Sequence, residues 1–211
     1  MDFLNFFVFL GVFLISISFH EFFHAYVAYL FGDNTAKYEG RMTINPVKHI
    51  DIVGLLAILV FHFGWAKPVP VNPNNLRSRP LSLALVSFAG PFANFLLALL
   101  SAFVFNLFFE AGFYNSFLFN VLKSFIFVNS LLMIFNLIPI YPLDGAGVLD
   151  FFIPQKLRSY WEVYKENGPF ILISIIAFSV VFDVGIFAYL LAVPVEKLRI
   201  FILILAGFNF H

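Results

Sequence analysis

From Phe3 to Phe19 the chain carries no charged residue, and that apolar run leads directly into His20-Glu21-Phe22-Phe23-His24. A stretch of this kind reads as one membrane helix, about Phe3 to Phe31, stopping at Gly32-Asp33. The i, i+4 spacing puts both imidazoles on one face of that helix, with a carboxylate beside them. Two histidines and a glutamate are expensive in hydrocarbon, so their presence there points to chemistry rather than packing.

The rest of the chain is built for the same medium. It is 62% hydrophobic and 11% charged, where a soluble domain carries about 25% charged residues. The fold class expected is a mainly α, polytopic membrane protein, and 1–211 reads as a single domain with a catalytic core of about 1–152 and C-terminal helices over about 153–211. Zero net charge gives no reason to expect nucleic acid as a partner. No cysteine is present, which removes disulfides, thiolate ligands and a cysteine nucleophile. The first helix lacks the basic start and small-residue cleavage site of a signal peptide.

Further elements follow from breakers and hydropathy. Residues 33–51 are polar and broken, and the Thr, Tyr and Ile around Gly40 predict a short β-hairpin or sheet. Gly54 to Phe63 is apolar but too short to span. Trp65 to Pro80, rich in proline and asparagine, is loop. A second long helix is expected over Leu81–Phe109 and a third over about Phe117–Leu137, ending where Pro139 and Pro142 forbid regular helix. Pro154–Gly168 is polar and reads as lying at the membrane surface. The tail, Pro169–Phe182 and Val184–Phe210, is apolar and interrupted at Asp183, leaving one or two crossings open.

Lys and Arg placement predicts orientation. Six of the twelve lie between Lys37 and Arg79 and three between Lys156 and Lys165, with none before Lys37. Those regions read as cytoplasmic and the N-terminus as outside. His20 then sits roughly 25 Å along its helix, at about 1.5 Å per residue, nearer the cytoplasmic face than the midplane.

A catalytic zinc takes three protein ligands and leaves one position open. His20 and His24 supply two, with Glu21 beside the metal rather than on it. Candidates for the third are His49, His62, His211, Asp144 and Asp183. Asp144 is preferred because it follows a proline-broken helix, and irregular backbone at membrane depth is tolerated where it lines a cavity. The histidines at 49 and 62 read as interfacial packing. Gly90 reads as a site of close helix approach.

The sequences HEFFHA (20–25), GDNTA (32–36), GRMTINPVKHID (40–51), GWAKPVPVNPNN (64–75), AGPFAN (89–94) and FNLIPIYPLDG (135–145) together resemble the site-2 proteases, intramembrane zinc metalloproteases. The resemblance covers residues 20–145, in the family's order, and is to small members without PDZ or CBS-type domains. It implies one zinc per chain on His20, His24 and Asp144, Glu21 as base, and Asn136 as the residue that orients or stabilises the reacting carbonyl. Where the family often continues LDGGR, this chain has Leu143-Asp144-Gly145-Ala146-Gly147. The function expected is hydrolysis of peptide bonds in or near transmembrane segments of membrane proteins, in a multi-pass protein of a prokaryotic plasma membrane. Thr43, Ile44 and Asn94 are candidate substrate contacts, the first two by addition of a substrate strand to the hairpin. A regulatory membrane partner or a second copy of the chain is a further candidate partner. The competing readings are a non-hydrolytic membrane metal-binding or metal-transport protein, and a zinc lipid hydrolase.

Overall fold

The computed structural model describes residues 3–61, 64–182 and 184–208. The candidate ligands His62, Asp183 and His211 lie outside the described residues. Among the described residues eight α-helices follow in chain order: α1 (Phe3–Leu30), α2 (Thr35–Tyr38), α3 (Ile52–Phe61), α4 (Leu81–Glu110), α5 (Ser116–Asn136), α6 (Asp144–Asp150), α7 (Arg158–Val181) and α8 (Ile186–Leu205). Of these, α1, α4 and α5 are long and apolar enough to cross a membrane. The apolar tail divides into α7 and α8. Helix α3, at 10 residues, is too short to span, as its sequence predicts.

Helices α1, α4 and α5 form the centre, and their sequences explain how they meet. On α4 the inward residues are small: Ala84, Ala89, Gly90, Ala93, Ala98, Ser101 and Ala102. The outward stripe is bulky, with Phe88, Phe92, Leu96, Leu100, Phe103 and Leu107 exposed. Lipid tails are as apolar as leucine, so helices in a membrane gain by close backbone approach through small residues. Helix α1 buries Val12, Ser16, His20, His24 and Ala28, a four-residue repeat that keeps one face inward. Helix α8 and its C-terminal cap close the far end, with Ile202 and the capping Ala206 packed on Ala98, Ala102 and Ile126.

The hairpin expected around Gly40 does not form, and no β-strand occurs among the described residues. Residues 35–38 are helical, Pro46–Lys48 is a 3-10 turn, and the pairing observed here is one isolated antiparallel bridge, Ile50 to Ala66. The backbone donors that a strand would use are spent locally. The amides of Arg41 and Met42 both donate to Ala36 O, and that of Val47 donates to the Asn45 side chain. Arg41 and His49 complete the segment as buried side-chain donors. Arg41 Nη2 reaches Lys67 O at 2.8 Å and Pro68 O at 3.2 Å, and His49 Nε2 donates to Thr43 O at 2.7 Å.

Two carboxylates pin the connecting segments. Asp33, 1% exposed, accepts from the backbone N–H groups of Thr35 and Asn72, from Thr35 Oγ1 and from Asn75 Nδ2, tying the proline-rich loop to the end of α1. Asp150 Oδ1 accepts from Arg158 Nη1, Trp161 Nε1 and Lys165 Nζ, fastening α7 to α6. The phenol of Tyr164 adds a bond to Pro139 O at 2.8 Å.

Burial raises the pKa of Asp33, but the bonds from Thr35, Asn75 and Asn72 outweigh it and hold the carboxyl below its ordinary value. A depressed folded-state pKa contributes stability that is complete above the unfolded value of about 4 and is lost as pH falls through the folded value. The thermal stability of the detergent-solubilised protein should therefore fall in that acid window, and Asp33→Asn should flatten part of the dependence while lowering stability at neutral pH.

Candidate metal centre

His20, Glu21 and His24 lie where α1 is most enclosed, at 3%, 8% and 7% exposure. Asp144 reaches them from the start of α6. The chain arrives there because Pro139 and Pro142 end α5 and the turn returns through Ile140 O, which accepts from the Leu143 amide. Gly145 faces the carbonyls of Leu137 and Ile138 so closely that a Cβ would collide with backbone. Glycine there lets the turn fold onto the end of α5 and present Asp144 inward.

The three side chains converge. His20 Nε2 lies 3.0 Å from His24 Nε2 and 3.1 Å from Asp144 Oδ2, and His24 Nε2 lies 3.3 Å from Asp144 Oδ1. Each imidazole is held from its other nitrogen: His20 Nδ1 lies 2.6 Å from Asn94 Oδ1 and His24 Nδ1 lies 2.6 Å from Val86 O. Carbonyl oxygens only accept, so both Nδ1 atoms carry a proton, and in the neutral ring each Nε2 keeps its lone pair. Two such lone pairs and a carboxylate face one another, and Asp144 Oδ2 has no hydrogen-bond donor. A cation resolves that arrangement. With Zn–N of about 2.0–2.1 Å, tetrahedral geometry puts ligand atoms roughly 3.3 Å apart, close to the spacing here, and an N2O donor set suits zinc better than magnesium or calcium. The residues fit zinc, and they are the one group of potential metal-binding side chains among the described residues that meets this spacing.

Glu21 is beside this group and not part of it. Its Oε2 accepts from the Val69 backbone N–H at 2.7 Å, so the proline-rich loop aims the carboxylate. His20 and Glu21 open on an apolar cavity of about 1020 Å³ whose walls include Phe13, Trp65, Phe135, Leu143 and Leu172. Asn136 also lines it, with Nδ2 donating to Leu132 O at 2.9 Å on its own helix.

The candidate substrate contacts lie elsewhere. Asn94 is fully buried behind His20 and does not line the cavity. Thr43 and Ile44 are on the bent segment after α2, also away from the cavity lining, and Ile44 is exposed. His49 is buried beneath the same segment. Sequence reading missed Val86, Val69, Asn129 and Ser16 as neighbours of the centre. The first two act through backbone groups, which residue type does not reveal. Asn129 does have a signal, an amide within the apolar run of α5.

The comparisons with known proteins agree with this centre. The chain is 38% identical over 183 residues to "Putative zinc metalloprotease YwhC" of Bacillus subtilis (strain 168), a match covering 84% of this chain and 81% of that protein. It is 32% identical over 169 residues to "Putative zinc metalloprotease Rip2" of Mycolicibacterium smegmatis, covering 76% of this chain and 62% of that protein. The Mycobacterium tuberculosis H37Rv protein of the same name is 28% identical over 169 residues, 78% of this chain and 64% of its own length. The chain belongs to the site-2 protease family of zinc metalloproteases. No family model matches it, and no solved structure matches it.

Within this site-2 protease, Gly90 does more than bring helices together. A Cβ there would fall 2.6 Å from His20 Nε2 and would also overlap His24 Nε2. Gly90→Ala should therefore displace the imidazoles and strip zinc from the purified protein, by elemental analysis, while the helix content seen by circular dichroism stays near wild type.

Proposed function

We propose that this protein is an intramembrane zinc endopeptidase that cuts peptide bonds in or near transmembrane segments of membrane proteins. The observation that carries the reading is the meeting of His20 and His24, on a helix long and apolar enough to span, with Asp144 from the start of α6, and with Glu21 next to them at the wall of an apolar cavity. His20, His24 and Asp144 would hold one zinc. Bound there, zinc supplies a Lewis acid that polarises a carbonyl and lowers the pKa of water to about 7.

The chain's own residues do the rest. Glu21, held through Oε2 by Val69 N–H, takes a proton from the attacking water on its free oxygen and passes it to the leaving amine. Asn136, on the cavity wall, turns its carboxamide to the reacting carbonyl. That step requires it to give up its bond to Leu132 O, which costs little because the carbonyl of a helical residue keeps its backbone partner. The apolar walls accept the side chains of a membrane segment, and a helical substrate must unwind locally because its carbonyls are otherwise hydrogen-bonded. Residues 1–211 act as one metalloprotease domain, with α7 and α8 completing the cavity through Leu172, Ile176 and Leu191.

The test compares Glu21→Gln and Asp144→Ala with wild type on a panel of tagged membrane proteins, with metal content measured alongside. Glu21→Gln should keep zinc and lose activity on the order of 10²-fold or more, since an amide cannot take the water proton. Asp144→Ala should lose most of its zinc. Normal turnover by Glu21→Gln would remove the mechanism, and retained metal transport by it would favour the transporter reading.

The orientation proposed is N-terminus outside, with the centre toward the cytoplasm. The chain has no cysteine, so single introduced cysteines report cleanly. Positions near Arg41, Arg77 and Lys156 should label from the cytoplasmic side and those near Asn115 from outside. Labelling of Arg41 from outside inverts the assignment.

A further inference from the structure

We propose that Asn129 on α5 sets the proton sense of His20 from two hydrogen bonds away, and that Asn94 and Asn129 are positioning residues for the metal centre. The inference rests on the reading of His20 as a zinc ligand.

A chain of buried amides runs from α1 through α4 and α5 and back to α1. His20 Nδ1 meets Asn94 Oδ1 at 2.6 Å, Asn94 Nδ2 meets Asn129 Oδ1 at 2.9 Å, and Asn129 Nδ2 meets Ser16 Oγ at 2.8 Å and Phe125 O at 2.9 Å. Asn94, Asn129 and Ser16 are all at 0% exposure, so none of them is open to bulk solvent. Ser16 lies one turn before His20 on the same helix face.

An amide can point either way, so what orients these two is decisive. Phe125 O is a backbone carbonyl and can only accept. It fixes the NH2 end of Asn129 toward itself and Ser16, which leaves Oδ1 toward Asn94. Asn94 must then present its own NH2 to Asn129 and its Oδ1 to His20. A carbonyl oxygen opposite Nδ1 requires Nδ1 to carry the proton, and the lone pair is left on Nε2, where it faces the metal position. The Ser16 carbonyl pulls Asn94 the same way, but at 3.4 Å it is too long to hold the amide by itself. His24 needs no such relay, because Val86 O fixes it directly. The two histidines thus differ: one is set by backbone and the other by side chains that mutation can alter.

A purely adhesive role, in which the two asparagines hydrogen-bond helices together, is the ordinary alternative in a membrane protein. The two roles separate by rescue. Aspartate at position 94 only accepts, so it needs no partner to orient it. The measurements are zinc dissociation constants by chelator competition on the full chain in detergent, with thermal unfolding of the metal-free form. Asn129→Leu should weaken zinc about 10–100-fold, the range for loss of a group that orients a ligand. Asn94→Asp should bind zinc more tightly than Asn94→Leu, although it sets a carboxylate oxygen against Asn129 Oδ1. The double variant, where that opposition is gone, should bind zinc more tightly than Asn129→Leu alone. Adhesion alone predicts lower thermal stability with unchanged zinc affinity in Asn129→Leu, and no rescue; either result overturns the proposal. If Asn129→Leu does not fold, Asn94→Leu and Asn94→Asp decide it, since an aspartate variant binding zinc no better than the leucine variant is equally fatal. His20→Ala separates the two levels: full zinc retention there removes the ligand reading itself, whereas zinc loss there with none in Asn129→Leu removes only the relay.

Discussion

Two imidazole nitrogens and a carboxylate facing one another within 3.0 to 3.3 Å repel unless a cation lies among them. In a low-dielectric interior that repulsion is many times what it would be in water. The protein nevertheless builds the arrangement from helices α1, α4 and α6, and surrounding details serve it. Gly90 clears the space, Asn94 and Val86 O hold the ring nitrogens from behind, and Gly145 lets the turn after α5 fold tightly enough to deliver Asp144. A helix bundle with the same topology but a bulkier residue at 90 would have no room for the centre.

The bundle tolerates so polar a core because its backbone approach is close and its polar atoms are paired. Small residues on α4 bring α1 and α5 near enough for Ser16, Asn94 and Asn129 to reach one another. Large side chains are turned outward, where in a membrane they meet lipid. Phenylalanine makes up 33 of 211 residues, and the phenylalanines among the described residues mostly cover the outside and the cavity wall rather than filling the space between helices.

The polar connections obey the same economy of donors and acceptors. Asp33 takes four donors, Arg41 gives to two carbonyls of the proline-rich loop, and Glu21 takes the Val69 amide from that loop. The loop is thereby held at both ends and aimed at the centre without any regular strand. The composition around Gly40 suits a hairpin, but a hairpin needs free backbone donors in register, and these are already bonded to Ala36 O and to side chains.

The three long helices, the break at Pro139 and Pro142, and the grouping of His20, His24 and Asp144 were legible in the sequence. Hydropathy length, proline geometry and the i, i+4 spacing are local properties, and they survive folding because nothing tertiary competes with them. The placement of Asn94 was not legible. Its amide suits a substrate contact as well as a histidine support, and only the packing of α4 on α1 puts it behind His20. The same holds for Val86 and Val69, whose contributions come from backbone atoms. The absent hairpin has a local cause that residue type did not reveal: the amides of Arg41 and Met42 turn back to Ala36 O and that of Val47 to the Asn45 side chain. The sequence by itself determined which residues bring metal-binding chemistry and which segments are long and apolar enough to cross a membrane. Tertiary structure alone decided which of those groups face the cavity, which stand behind the ligands, and which way each hydrogen bond runs. Direction depends on partners from other helices, and no spacing along one helix contains that information.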